Sequence, residues 1–115
     1  MLPELEQIFE AAVDAVMPQR MLSGRMLLDD GVLRIDGEHF DLERYERLYL
    51  CGAGKAALPM AEACETILGE RIAGGVIVTP EAPRQLKHCR YVHSTHPIPS
   101  SESVDAAEQG IGWVL

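Results

Sequence analysis

The chain has 115 residues, 47% hydrophobic and 24% charged, the composition of one globular domain or a piece of one. Eighteen acidic against ten basic residues leave a net charge of −8, which argues against nucleic acid or an anionic membrane as the main partner. No apolar run approaches the ~20 residues that span a bilayer, and Met1-Leu2-Pro3-Glu4 has neither a basic cluster nor an apolar signal core, so a cytoplasmic protein is expected.

The first predicted element is an amphipathic helix. Leu5, Ile8, Phe9, Ala12, Val13 and Val16 recur at helical spacing, with Pro3 near the first turn and Pro18 after the end. Docking against a core is the expected use of that face, and a homo-oligomer contact is the alternative. Met26-Leu27-Leu28 and Val32-Leu33-Arg34-Ile35, punctuated by Asp30-Gly31 and Asp36-Gly37, then predict a β-hairpin. His39 follows it as an expected solvated side chain.

Leu48 to Cys51 is a short uncharged apolar run, as expected of a parallel strand buried on both faces. Gly52 and Gly54 allow a sharp turn and a close approach. Ala56 and Ala57 open a helix that runs to about Leu68, where Gly69 stops it, and Pro59 falls in its first turns. Unpaired N–H groups at the positive end of that helix then sit beside the turn, a site for phosphate or carboxylate, and Lys55 adds a cation. A Walker A loop is excluded, because Tyr49 stands where its first glycine belongs and Ala56 where its Ser or Thr belongs. The dinucleotide fingerprint G-x-G-x-x-G/A is met by Gly52, Gly54 and Ala57, with Glu81 in the place of a ribose-binding acid, so an NAD(P)-dependent oxidoreductase stays open.

Gly75-Val76-Ile77-Val78-Thr79 predicts a second buried strand, and strand, helix and strand in this order imply a right-handed parallel crossover. Lys87 and His88 lie in a connecting segment expected to be a solvated loop, and Tyr91-Val92-His93 predicts a third strand. Thr95-His96-Pro97-Ile98-Pro99 must be a stiff loop, since two prolines fix the backbone and remove donors. Ser100 or Ser101 can cap a last helix, on which Val104, Ala107, Ile111, Val114 and Leu115 share a face. That face is still repeating at the last residue, so a truncated chain with a further strand beyond it is expected. Cys51, Cys64 and Cys89 suit neither a disulfide framework nor a zinc site, and no metal-binding residues are predicted. The fold class expected is α/β: a truncated, Rossmann-like three-layer sandwich with a mainly parallel sheet, preceded by the helix and the hairpin.

The strand leading into Gly52-Ala53-Gly54-Lys55-Ala56-Ala57, followed in order by Arg71-Ile72-Ala73-Gly74-Gly75-Val76-Ile77-Val78-Thr79 and His96-Pro97-Ile98-Pro99, resembles the N-terminal domain of the class II glycerate 2-kinases, the MOFRL family. The resemblance runs from the first helix to the last but covers only the beginning of the family's two-domain protein. It implies that residues 1–115 are the N-terminal part of that α/β domain, with the second (MOFRL) domain absent. It implies transfer of the γ-phosphoryl of ATP, with Mg2+, to the 2-hydroxyl of D-glycerate, and little activity for the isolated fragment. Lys55 aligns with the family's essential lysine, Gly52, Ala53 and Gly54 would shape the cleft floor, and His96 would stand beside it. Two departures are visible: Ser94-Thr95 precede His96 where the family more often has a small residue and glycine, and Pro80 follows Thr79 where lysine is frequent. A hydroxypyruvate reductase fragment and a non-catalytic binding or assembly module are the competing readings.

Overall fold

A computed structural model describes residues 2–114. Helix α1 (Pro3–Ala15) is followed at once by α2 (Pro18–Arg25), then by strands β1 (Met26–Asp29), β2 (Val32–Ile35) and β3 (Glu38–Asp41). The second half alternates β4 (Leu48–Ala53), α3 (Ala57–Leu68), β5 (Ile72–Thr79), β6 (Arg90–His93) and α4 (Ser101–Val114).

The aspartate-glycine pairs do what the sequence implies. Asp30, Gly31, Asp36 and Gly37 all have positive φ (49°, 76°, 47° and 90°), the conformation of two-residue hairpin turns whose twist matches the flanking strands. Two turns join three strands, so the expected hairpin is an antiparallel sheet in the order β1-β2-β3. The third strand carries only Phe40 as an apolar residue, and its pattern is too polar to announce it. His39 lies on it, exposed as expected. Pro18 likewise does more than end α1: its fixed φ and missing N–H suit the first position of α2.

The other sheet is parallel, in the order β4-β5-β6. Side-chain alternation assigns the helices to its two faces. Ile77 joins Ala57, Ala61 and Cys64 of α3 in the main core, whereas a Cβ on Gly110 of α4 would stand 3.9 Å from the neighbouring Val76. Helix, sheet and helix form the expected three layers. Leu28, Leu33, Phe40 and Leu42 extend the α3-side core under the antiparallel sheet.

Gly75 sets the spacing of the central strands. A Cβ there would lie 1.8 Å from the carbonyl oxygen of Leu50, so only glycine lets β4 lie against β5.

Three expectations change. β5 is buried along nearly its whole length, but β4 stands at the sheet edge with Tyr49, Cys51 and Ala53 exposed, so it is covered on the α3 face alone. On α4, Ala106 is buried and the bulky Val104 and Ile111 are exposed: small residues allow the helix to approach the sheet, and the larger apolar face points away. Leu115 lies outside the described residues. Every residue of α1 is exposed, so the apolar face predicted to dock on a core touches none. Among the described residues no helix is long and apolar enough to cross a membrane.

Candidate functional site

The C-terminal ends of parallel strands are where open α/β sheets bind ligands. Here those ends are Ala53, Thr79 and His93. β4 leaves the sheet through Gly54, whose N–H donates to the Val78 carbonyl at 2.9 Å and whose φ of +119° is a conformation that side chains disfavour. The Ala57 N–H then donates to the Gly54 carbonyl at 3.2 Å, and α3 begins directly, without a side-chain cap. Its dipole is therefore open to solvent or an anion at this turn.

A cleft of about 420 Å3 lies on this side of the sheet. Gly52, Ala53, Gly54, Lys55 and Ala56 form one wall, and Met60, Cys64 and Ile77 form the apolar part. A Cβ on Gly52 would make ordinary contacts, 3.4 Å to Ile77 and 3.7 Å to Ala57, so glycine there opens space and is not dictated by a clash. Lys55 is exposed and, among the described residues, has no carboxylate partner, which leaves its ammonium free for an anion. Four of the five candidate residues thus come together.

The fifth does not join them. His96 is exposed on the loop between β6 and α4 and does not line the cleft. The stiffness expected of that loop has a hydroxyl component. Thr95 Oγ1 donates to the Ile98 carbonyl at 2.8 Å and lies 2.9 Å from Ser100 Oγ, while the Ser100 N–H donates to Ser103 Oγ at 3.3 Å. Beside it, His93 Nδ1 sits 2.8 Å from Glu102 Oε2, tying the end of β6 to the first turn of α4. Glu81, just past β5, is exposed, and its N–H donates to the buried Thr79 hydroxyl at 3.2 Å.

Sequence reasoning missed Glu65. This buried carboxylate on α3 accepts the N–H groups of Lys87 at 2.7 Å, His88 at 2.8 Å and Cys89 at 3.0 Å. Desolvation pushes its pKa up, yet the three backbone bonds outweigh this and hold it below the usual glutamate value. The segment read as a solvated basic loop is thus clasped through its backbone, which positions β6. The signal was helical spacing: Glu65, unlike Glu62, shares a face with Leu58, Ala61 and Leu68, where a carboxylate needs buried donors. Cys64 and Cys89 are buried, and burial first, then the Glu65 charge, pushes the Cys89 thiol up to about 12. Cys51 departs from the expected packing role, being exposed on the edge strand.

Among the described residues no group of His, Cys, Asp and Glu is arranged to hold a metal ion.

The described residues form a three-layer α/β unit with a parallel sheet, whose C-terminal edge carries a glycine turn, a helix start without a side-chain cap and Lys55; by class this is an open-sheet α/β domain. The chain belongs to the family described as the domain of unknown function DUF4147, whose profile matches residues 4–114. It is similar to the glycerate kinase of Homo sapiens, 42% identical over 83 residues that cover 70% of this chain and 16% of the human protein. It is 30% identical over 101 residues to the glycerate 2-kinase of Pyrococcus horikoshii, 87% of this chain and 22% of that one. A weaker similarity, 36% over 69 residues, links it to a putative hydroxypyruvate reductase of Agrobacterium vitis, covering 59% and 18% of the two chains. The crystal structure of the PH0495 protein from Pyrococcus horikoshii OT3 superposes with a TM-score of 0.83 at 28% identity, covering 94% of this chain and 24% of that one. The chain therefore spans a sixth to a quarter of the length of these relatives. The resemblance and the α/β fold read from the sequence both hold.

Proposed function

We propose that this chain is the N-terminal portion of a glycerate 2-kinase and supplies the phosphate-facing half of its active site. The observation that carries the reading is Lys55, unpaired at the uncapped start of α3 and on the wall of the cleft. The similarity to proteins named glycerate kinase supports glycerate as the acceptor; the D-isomer and ATP as donor are part of the proposal.

Phosphoryl transfer asks little covalent chemistry of a protein and much positioning of charge. The Lys55 ammonium would neutralise charge on the transferring group or on the glycerate carboxylate, and the backbone from Gly54 to Ala57 would present the helix dipole to phosphate oxygens. Such donors act without reorganisation, because Gly54 is fixed to β5 through Val78. Met60 and Ile77 make one side of the cleft apolar. No step is assigned to Mg2+, which would travel with the nucleotide. His96 would approach the substrate only from the neighbouring loop. The matched relatives are several times as long, and in this reading residues beyond the 115 complete the site, so these 115 residues by themselves would be inactive in turnover.

The test is a chimera in which residues 2–114 replace the matching segment of the Pyrococcus horikoshii glycerate 2-kinase. Formation of 2-phosphoglycerate from ATP and D-glycerate is expected, with kcat/KM falling at least 100-fold in Lys55→Ala. NADH oxidation on hydroxypyruvate with no phosphorylated product would overturn the kinase reading and favour the dinucleotide one, which the exposed Glu81 and the Agrobacterium vitis relative support.

A further inference from the structure

The cleft beside Lys55 has two ends of different chemistry. At one end stand Lys55 and the backbone from Gly54 to Ala57, where α3 begins without a side-chain cap. The rest is a slot between β4 and α3. Small residues make it: Gly52 on the strand, and Ala57 and Ala61 one turn apart on the same face of the helix, leave room that larger side chains would fill. Met60 is 37% exposed at its rim, whereas Cys64 and Ile77 are buried.

This lining discriminates between the two substrates of a glycerate kinase. Among the described residues of the lining Lys55 alone is charged, and none carries a hydroxyl, amide or carboxylate side chain. Glycerate bears a polar group on every carbon. Placed in the slot, its hydroxyls would face Met60, Ala61 and Ile77 and lose the hydrogen bonds that water gives them, a costly exchange for buried polar groups. Size points the same way: the cleft's 420 Å3 lies in the range of small-molecule sites, roughly 300–1,000 Å3, and a three-carbon acid fills little of it. A nucleotide matches both ends. Its phosphates suit the cation and the helix start, and its base is a flat ring whose faces need only apolar contact.

We infer that this cleft holds the nucleotide, with its phosphates at Lys55 and the Gly54 to Ala57 backbone and its adenine base in the slot against Met60, Ala61 and Ile77. The inference rests on the glycerate kinase reading and sharpens it: Lys55 faces the phosphate chain, and the glycerate carboxylate is held by residues outside the cleft. Binding energy from the base, remote from the reacting phosphorus, then serves to position the transferring group.

The experiment uses the chimera with the Pyrococcus horikoshii glycerate 2-kinase and reads binding as well as turnover. In equilibrium dialysis Met60→Asn, which puts a neutral amide at the apolar rim, is expected to raise the Kd of ATP about tenfold and to leave that of tripolyphosphate within about twofold, because only the base uses the slot. Lys55→Ala weakens both, and the KM for D-glycerate stays within about twofold in Met60→Asn. Met60 lies at the rim and outside the buried core, so the variant keeps the fold, and circular dichroism checks it. A second measurement needs no variant: an azido-adenine analogue of ATP photolabels residues 57–64 of the wild type, and ATP protects them while D-glycerate does not. A label placed elsewhere, equal weakening of ATP and tripolyphosphate in Met60→Asn, or a rise in the KM for D-glycerate in place of the Kd of ATP overturns the inference; phosphorylated product from the wild type then leaves the kinase reading standing. Absence of product with ATP binding still sensitive to Met60→Asn overturns the kinase reading and keeps the nucleotide in the cleft. No binding of ATP to the wild type overturns both.

Discussion

Helices α1 and α3 have nearly the same length, 13 and 12 residues, and apolar faces of comparable clarity in the sequence, yet one buries nothing and the other buries seven residues. Amphipathic spacing says that a helix has something to bury, not where. α3 is held because it connects adjacent parallel strands, so the crossover lays it on the sheet; α1 precedes the sheet and has no such constraint. The candidate site follows this division. The turn at Gly54 and Lys55 is attached to the most buried helix and strand in the molecule, which gives its donors fixed positions.

The largest effect is expected where the rigid half is tightest. Gly75→Ala forces a methyl group into the Leu50 carbonyl and should cost about 4 kcal/mol or leave the chain insoluble, measured by urea unfolding. Leu58→Ala follows at about 3 kcal/mol, because Leu58, in the first turn of α3, is 1% exposed. Glu65→Ala strands three backbone donors and should cost about 2–3 kcal/mol, with Glu65→Gln milder. Its pH dependence has a defined sign. The folded pKa is lowered, so the stabilisation is present above the ordinary glutamate pKa and is lost as pH falls through the depressed value. Acid unfolding should therefore begin at the α3 to β6 clasp, and Glu65→Gln should flatten that limb of the stability profile. Least affected is the exposed helix: Leu5→Ala should change the stability of the chain by under about 0.5 kcal/mol in urea unfolding. A larger loss there would mean that α1 packs on its own chain, and the contrast between the two helices would collapse.

Legibility in the sequence tracks how local each feature is. The hairpin turns, the ends of α3, the glycine turn and the position of Lys55 are dictated by φ preferences and by helix starts and stops within a few residues, and all were readable. The clasp at Glu65 was not, because its donors lie 22 to 24 residues away and are backbone groups that carry no side-chain signature. The packing face of α4 was misread for a related reason. Ala106 packs inward, and small residues score weakly in a hydrophobic pattern although they permit the closest approach.

By itself, then, the amino-acid sequence determined the order of the elements other than α2 and β3, the two aspartate-glycine turns, the parallel unit and the placing of a cation beside an open helix start, all consequences of local sterics and side-chain spacing. Tertiary structure alone decided which strand is central and which is the edge, which helices are covered, that His96 stands outside the cleft of Lys55, and that a buried carboxylate holds the last strand. Those outcomes depend on which distant surfaces meet, and burial, unlike a turn, is a property of pairs of segments.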